Sequence, residues 1–158
     1  EISCSLVGSE MCIRDSTKAM AEKLAKATGA DLFEIKPQTP YTRADLDWTN
    51  KNSRSSIEMN DKSYRPQIAQ LPNSLANYDT IFIGFPIWWY VAPTIINTFV
   101  ENVDLDGKKV IPFATSGGSG MGKTLANLKP SCPGANWVEG KVINGMSEKA
   151  LADWAEKL

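Results

Sequence analysis

Apolar residues along this 158-residue chain come in two alternating kinds of run. Short continuous runs lead straight into loops, as in Ile81–Trp89 (Ile-Phe-Ile-Gly-Phe-Pro-Ile-Trp-Trp) and in Lys108–Gly120, where Val110-Ile-Pro-Phe-Ala gives way to hydroxyls and glycines. These predict strands. Between them, apolar residues recur at helical spacing. Thr17–Ala27 places Ala19, Met20, Leu24 and Ala27 on one face, with Lys and Glu filling the other, and Thr28-Gly29 stops it. Pro93–Val103 is amphipathic through Ile96, Phe99, Val100 and Val103, and Asp106-Gly107 turns into the strand at Val110. Gly122–Lys129 opens a further helix, which Pro130–Pro133 breaks. Ser147 caps a last helix, with Glu148 in its first turn and Leu151, Trp154 and Leu158 facing inward. Asp31–Lys36 reads as a strand ended by Pro37 and Pro40, and Trp137–Ile143 as a weaker one. Leu71–Asn77 is a short helix or turn feeding the Ile81 strand.

One stretch breaks the pattern. Asp45–Asp61 is polar, with Trp48, Ile57 and Met59 as its large apolar residues; a helix here would cover little, and the stretch reads as a mobile excursion near the site. Its Arg54, Ser55, Ser56 and Glu58 are expected to be a solvated loop.

Strands alternating with helices imply a parallel sheet covered on both faces. From Thr17 onward the order begins with a helix, so a first strand is missing where the chain is least protein-like. Ser5–Ser16 contains Glu10-Met11-Cys12-Ile13-Arg14-Asp15, which is GAG ATG TGT ATA AGA GAC read as codons, a common transposon-based sequencing adapter. Residues 1–15 are therefore expected to be a non-native scar, and residues 16–158 a single domain.

Composition narrows the chemistry. A formal net charge of −1 offers no basic field for nucleic acid, and the apolar run around Ile81–Val91 is too short and too broken by Gly84 and Pro86 to span a bilayer. Histidine is absent, which removes imidazole bases, Ser-His and Cys-His nucleophiles, and His-ligated metals. Cys4 and Cys12 lie in the suspect segment, and Cys132 alone makes neither a disulfide framework nor a zinc site. Redox chemistry, if any, must come from a bound organic cofactor.

Ligands in an open α/β sheet sit at the carboxyl ends of the strands, where two loops fall. Pro86-Ile87-Trp88-Trp89-Tyr90 offers aromatic planes; Thr115-Ser116-Gly117-Gly118-Ser119-Gly120 offers hydroxyls and close backbone approach. Neighbouring residues on an extended loop point opposite ways, so one of the two tryptophans is expected to pack inward. The Ile87 and Trp88 amides are the expected donors to a ring edge, since Pro86 has none.

These loops resemble the flavodoxin family, specifically its small members with P-[IV]-W-W and T-S-G-G-S-G loops. The resemblance implies a three-layer αβα, doubly wound parallel sheet in strand order 2-1-3-4-5, with the first strand and phosphate loop replaced or damaged here. It implies FMN held by Ser16, Thr17, Pro86, Ile87, Trp88, Trp89, Tyr90, Thr115, Ser116, Gly117 and Gly118, with no acid–base catalytic residue and no metal. It also implies a cytoplasmic protein serving electron transfer with a redox partner protein or NAD(P)H-dependent reduction of a small acceptor, such as a quinone. The nearly neutral charge tilts this towards a reductase, since a carrier that docks by charge is usually strongly acidic. The family's S-x-T-G-x-T phosphate loop keeps only Ser16 and Thr17 in register. Asp15 would set a carboxylate against a dianionic phosphate. At roughly 4 Å and an effective dielectric near 20 that repulsion is about 4 kcal/mol, close to three decades in affinity.

An alternative lies in Gly117–Thr124, which satisfies G-x-x-x-x-G-K-[ST], the phosphate loop of nucleoside triphosphatases. Residues 125–158 supply no apolar strand ending in the Asp that would hold Mg²⁺, which counts against it.

Overall fold

The structure is a computed structural model that describes residues 2–7 and 16–158, with side chains from Ser16 onward. Five parallel strands run in the order β2-β1-β3-β4-β5: β1 (Ile2–Val7), β2 (Asp31–Ile35), β3 (Thr80–Pro86), β4 (Lys109–Thr115) and β5 (Asn136–Trp137). A further two-residue strand, β6 (Lys141–Val142), also pairs with β4. The order is the flavodoxin-like one expected from the loops.

One expectation needs correcting. A strand does stand in the first position: β1 pairs with both β2 and β3, in the centre of the sheet. The slot between two parallel neighbours presents unpaired N–H and C=O groups on both sides, and backbone pairing is what fills it. The phosphate-loop part of the same expectation falls on residues 8–15, outside the described residues.

Helices cover both faces. α1 (Ser16–Thr28) and α5 (Glu148–Glu156) pack together on one side; α3 (Thr94–Asn102) and the short α4 (Thr124–Leu128) lie on the other. Successive residues of β3 and β4 serve opposite faces. Ile81, Ile83, Phe85, Val110 and Ala114 join Ile95, Ile96 and Phe99 of α3, while Phe82, Ile111 and Phe113 join Met20, Leu24 and Leu151. Two-sided burial is why both strands read as continuous apolar runs. Each fully buried Phe or Ile contributes roughly 1.5–3 kcal/mol. Gly84 interrupts β3 for a packing reason: a Cβ there would lie 2.2 Å from the Phe113 ring, which occupies that space.

The weak last strand is split for a reason visible in β4. Val138 and Ile143 donate to the carbonyls of Val110 and Ala114, so Pro112 turns the same edge towards them with no N–H to offer. The ladder breaks there. Pairing resumes one residue out of step, from Lys109↔Asn136 to Phe113↔Lys141. Gly140 permits the close pass, since a Cβ would meet the Pro112 carbonyl at 2.4 Å.

Of the short helix or turn expected at Leu71–Asn77, the chain takes the turn, at Ala76-Asn77, with a bend at Asn73. One other expectation changes. Asp45–Asp61 includes α2 (Arg54–Asn60), capped by Ser53, whose hydroxyl accepts from the Ser56 amide. Ser55, Ser56 and Glu58 are buried, so the stretch is a packed element and not the solvated loop its polarity suggested.

Candidate functional site

The carboxyl edge of the sheet gathers three chain segments. Ser16 begins α1, which runs for thirteen residues with no acidic residue in its first turn, so its amino end favours an anion. Thr17, fully buried, shares a 2.5 Å hydrogen bond with the hydroxyl of Thr115 at the end of β4. Pro86 pairs with Thr115 across the sheet, and the Ile87 amide donates to the Thr115 carbonyl at 2.9 Å. Thr115 therefore ties α1, the β3 loop and the β4 loop together.

The β3 loop is a tight hairpin. The Trp88 amide donates to the Val91 carbonyl at 2.9 Å and the Val91 amide returns the bond at 3.0 Å. Trp89 and Tyr90, the two residues between, have φ of 47° and 67°, the left-handed pair of a type I′ turn. The expected donors to a ring edge are thus engaged: both the Ile87 and Trp88 amides serve the protein itself. What the loop presents is its side chains. Trp88 turns inward as one tryptophan was expected to, while Trp89 and Tyr90 are 44% and 69% exposed.

Trp88 rests on a buried polar clasp. Its ring meets Tyr41 edge to face, with centroids 5.8 Å apart. The Tyr41 hydroxyl donates to Glu58, whose other oxygen takes the Arg54 Nε–H at 2.8 Å. Arg54 lies 3.8 Å over the Tyr41 ring and also donates to the Thr39 carbonyl at 2.7 Å. Burial, then the Glu58 hydrogen bond and charge, hold the Tyr41 pKa far above the ordinary phenol value; Arg54 opposes them. Tyr41 therefore remains a donor across the physiological range.

The β4 loop is built the other way. Ser116 is clamped by Asn144, which accepts from its amide at 2.8 Å and donates to its carbonyl at 2.9 Å. The Ser116 hydroxyl in turn accepts from the amides of Gly118 and Ser119 at 3.2 and 2.8 Å. Around that fixed point Gly117, Gly118 and Gly120 have nothing within 4 Å of where a Cβ would stand. A flat molecule can reach the main chain there.

The triphosphatase motif does not make a phosphate cradle. The Tyr90 carbonyl sits over Gly122, 2.1 Å from a would-be Cβ, and accepts from the Lys123 amide at 3.3 Å. Thr124, whose hydroxyl would have to face Mg²⁺, is fully buried and gives both its amide and its hydroxyl to the Met121 carbonyl. α4 behind it has only five residues. The segment packs against the tryptophan turn.

Tyr41 and Asn144 were not anticipated. Asn144 lies just beyond the carboxyl end of β6, in an Asn144-Gly145 turn signal, and Tyr41 lies on the loop that follows β2. Extending the strand-end rule to every strand would have found them.

The sequence profile of the flavodoxin family matches residues 6–158. This chain belongs to the flavodoxin family. Among solved structures, this flavodoxin is similar to a protein of Bacteroides eggerthii DSM 20697 inferred to be a flavoprotein: identity is 48%, TM-score 0.92, and the match covers 99% of this chain and 96% of that one. A flavoprotein of Lactobacillus acidophilus NCFM, crystallised in complex with FMN, shares the fold at TM-score 0.70 and 23% identity, covering 98% of each chain. Among curated proteins, the uncharacterized NAD(P)H oxidoreductase YcaK of Escherichia coli strain K12 is 31% identical over 87 residues. That match covers 54% of this flavodoxin and 39% of YcaK.

Proposed function

We propose that this flavodoxin binds FMN across the carboxyl edge of its sheet and uses it for NAD(P)H-dependent reduction of a small acceptor such as a quinone. The carrying observation is the open backbone at Gly117, Gly118 and Gly120 beside the propped aromatic Trp88 and the amino end of α1. In this reading the Gly117 amide and the glycine carbonyls of the β4 loop hold a ring edge, Trp88 supplies a stacking plane, and Ser16 and Thr17 sit at the phosphate end. Bound FMN supplies hydride and single-electron chemistry; the protein positions it and sets its electrostatics. The acid–base part stays with the cofactor, as no histidine exists to share it. Support for a reductase over a protein-docking carrier comes from the partial likeness to YcaK and from a net charge of only −1.

The second part of the reading concerns residues 1–15, taken as a foreign segment standing where the phosphate loop belongs. This chain should then bind FMN weakly, and a version carrying an S-x-T-G-x-T loop ahead of Thr17 should bind it about a thousandfold more tightly. Titration of both FMN-free proteins, followed by flavin fluorescence, measures this. Absence of one-to-one binding by either version would overturn the flavin reading, whereas equal tight binding would overturn only the foreign-segment part. Steady-state NADPH oxidation with a quinone, run on whichever version is loaded, then separates reductase from carrier: no turnover leaves the carrier.

A further inference from the structure

A second concave site lies on the outer side of the tryptophan turn, away from the Thr115 junction. It is a groove of about 690 Å³ between α3, the start of α4 and the turn that follows α2, within the size range of small-molecule sites. Its charge runs against that of the chain. The whole protein carries −1, yet the groove is lined by Lys62, Arg65 and Lys123 with no carboxylate among the lining residues. Arg65 is neutralised and fixed by a two-pronged bond to Glu101 at 2.8 and 2.9 Å. Lys62 and Lys123 are exposed and make no ion pair with a described carboxylate. Trp89 and Tyr90 form one wall. Thr94, at the start of α3, also lines the groove, is 7% exposed, and keeps a buried hydroxyl oxygen with no hydrogen-bond partner among the described residues. A buried hydroxyl left so is costly unless something else satisfies it.

Two uncompensated ammonium groups, an aromatic wall and an unpaired hydroxyl select a particular kind of molecule. We propose that this groove is a binding site for a small aromatic anion, its ring against Trp89 and Tyr90 and its acid group against Lys62 and Lys123. The strained turn has a use in this arrangement. Positive φ at Trp89 and Tyr90 throws both side chains to the outer side, while Trp88 stays on the inner one. One hairpin thus serves two sites. Binding itself does not depend on the flavin.

The test uses the FMN-free chain and two isosteric probes, naphthalene-2-carboxylate and the uncharged naphthalene-2-carboxamide, titrated calorimetrically. The carboxylate should bind about tenfold more tightly than the amide at low salt. That ratio should fall towards one in the double variant Lys62→Met, Lys123→Met. Trp89→Ala should weaken both probes alike. Both lysines are exposed, so the double variant should keep its fold, checked by circular dichroism. Equal affinity for the two probes, or an unchanged ratio in the double variant, would overturn the proposal. So would displacement of the carboxylate by one equivalent of FMN, which would merge the groove with the flavin site. Competition with NADPH names the source of the anion: displacement supports a nicotinamide nucleotide, and persistence of the bound carboxylate supports an aromatic acid.

Discussion

The two loops at the carboxyl edge solve opposite problems. The β3 loop closes its own backbone hydrogen bonds, Trp88 to Val91 and back, and faces outward with side chains. The β4 loop fixes Ser116 through Asn144, draws the Gly118 and Ser119 amides onto the Ser116 hydroxyl, and leaves the space beside its glycines open. The first needs support beneath an aromatic plane; the second needs support for a strip of main chain. Each receives it from far along the chain, the first from Tyr41 and Glu58, the second from Asn144. A site that combines a plane with close main-chain contact requires both, because side chains that stack cannot also offer the open backbone that approaches a polar edge.

The sharpest way to break the comparison is to remove the prop under only one loop. Glu58→Ala leaves the Arg54 guanidinium and the Tyr41 hydroxyl without their buried partner. It should cost about 3 kcal/mol, measured by urea denaturation, and should loosen Trp88 while the β4 loop keeps its amide protection in hydrogen exchange. Loss of protection at Ser116 and Ser119 to the same degree would mean the two loops are one unit. Asn144→Ala is the converse. It removes two hydrogen bonds that hold the Ser116 backbone and should cost about 1–2 kcal/mol, with faster exchange at Ser116 and an unchanged Trp88 environment. The smallest effect sharpens the picture of the β3 loop alone. The double substitution Trp89→Asn, Tyr90→Gly suits both positive-φ positions. It should stabilise the fold by about 1 kcal/mol, read as a higher Tm, while removing the aromatic wall of the outer groove. A lower Tm would show that the two rings contribute more through packing than the turn costs through strain.

How much of this was legible in the residues follows from the range of each interaction. Buried strands announce themselves locally, so β3 and β4 were visible as apolar runs, and α5 as a capped amphipathic stretch in which Ser147 accepts from the Ala150 amide. The inward turn of a single tryptophan was visible too. The type I′ geometry was not, because Trp89-Tyr90 lacks the Asn-Gly or Asp-Gly signal that normally marks it. The burial of Glu58 was hidden for a similar reason: a carboxylate reads as surface until its partners, Arg54 four residues before it and Tyr41 seventeen before it, are placed around it. The triphosphatase motif shows the reverse failure. Its letters were all present, yet the space they would enclose is taken by the Tyr90 carbonyl, brought there from across the sheet edge.

The broken ladder beside Pro112 has a consequence outside the site. A strand at the rim of a sheet is an invitation for another chain to add itself, and long regular rims seed fibrous assembly. Here the rim next to β4 is two fragments of two residues each, out of step by one, with irregular backbone through Gly140 between them. No incoming strand can match both halves in one register. A proline inside a buried strand, which costs the fold a hydrogen bond, thereby leaves the molecule with a flank on which further copies cannot polymerise.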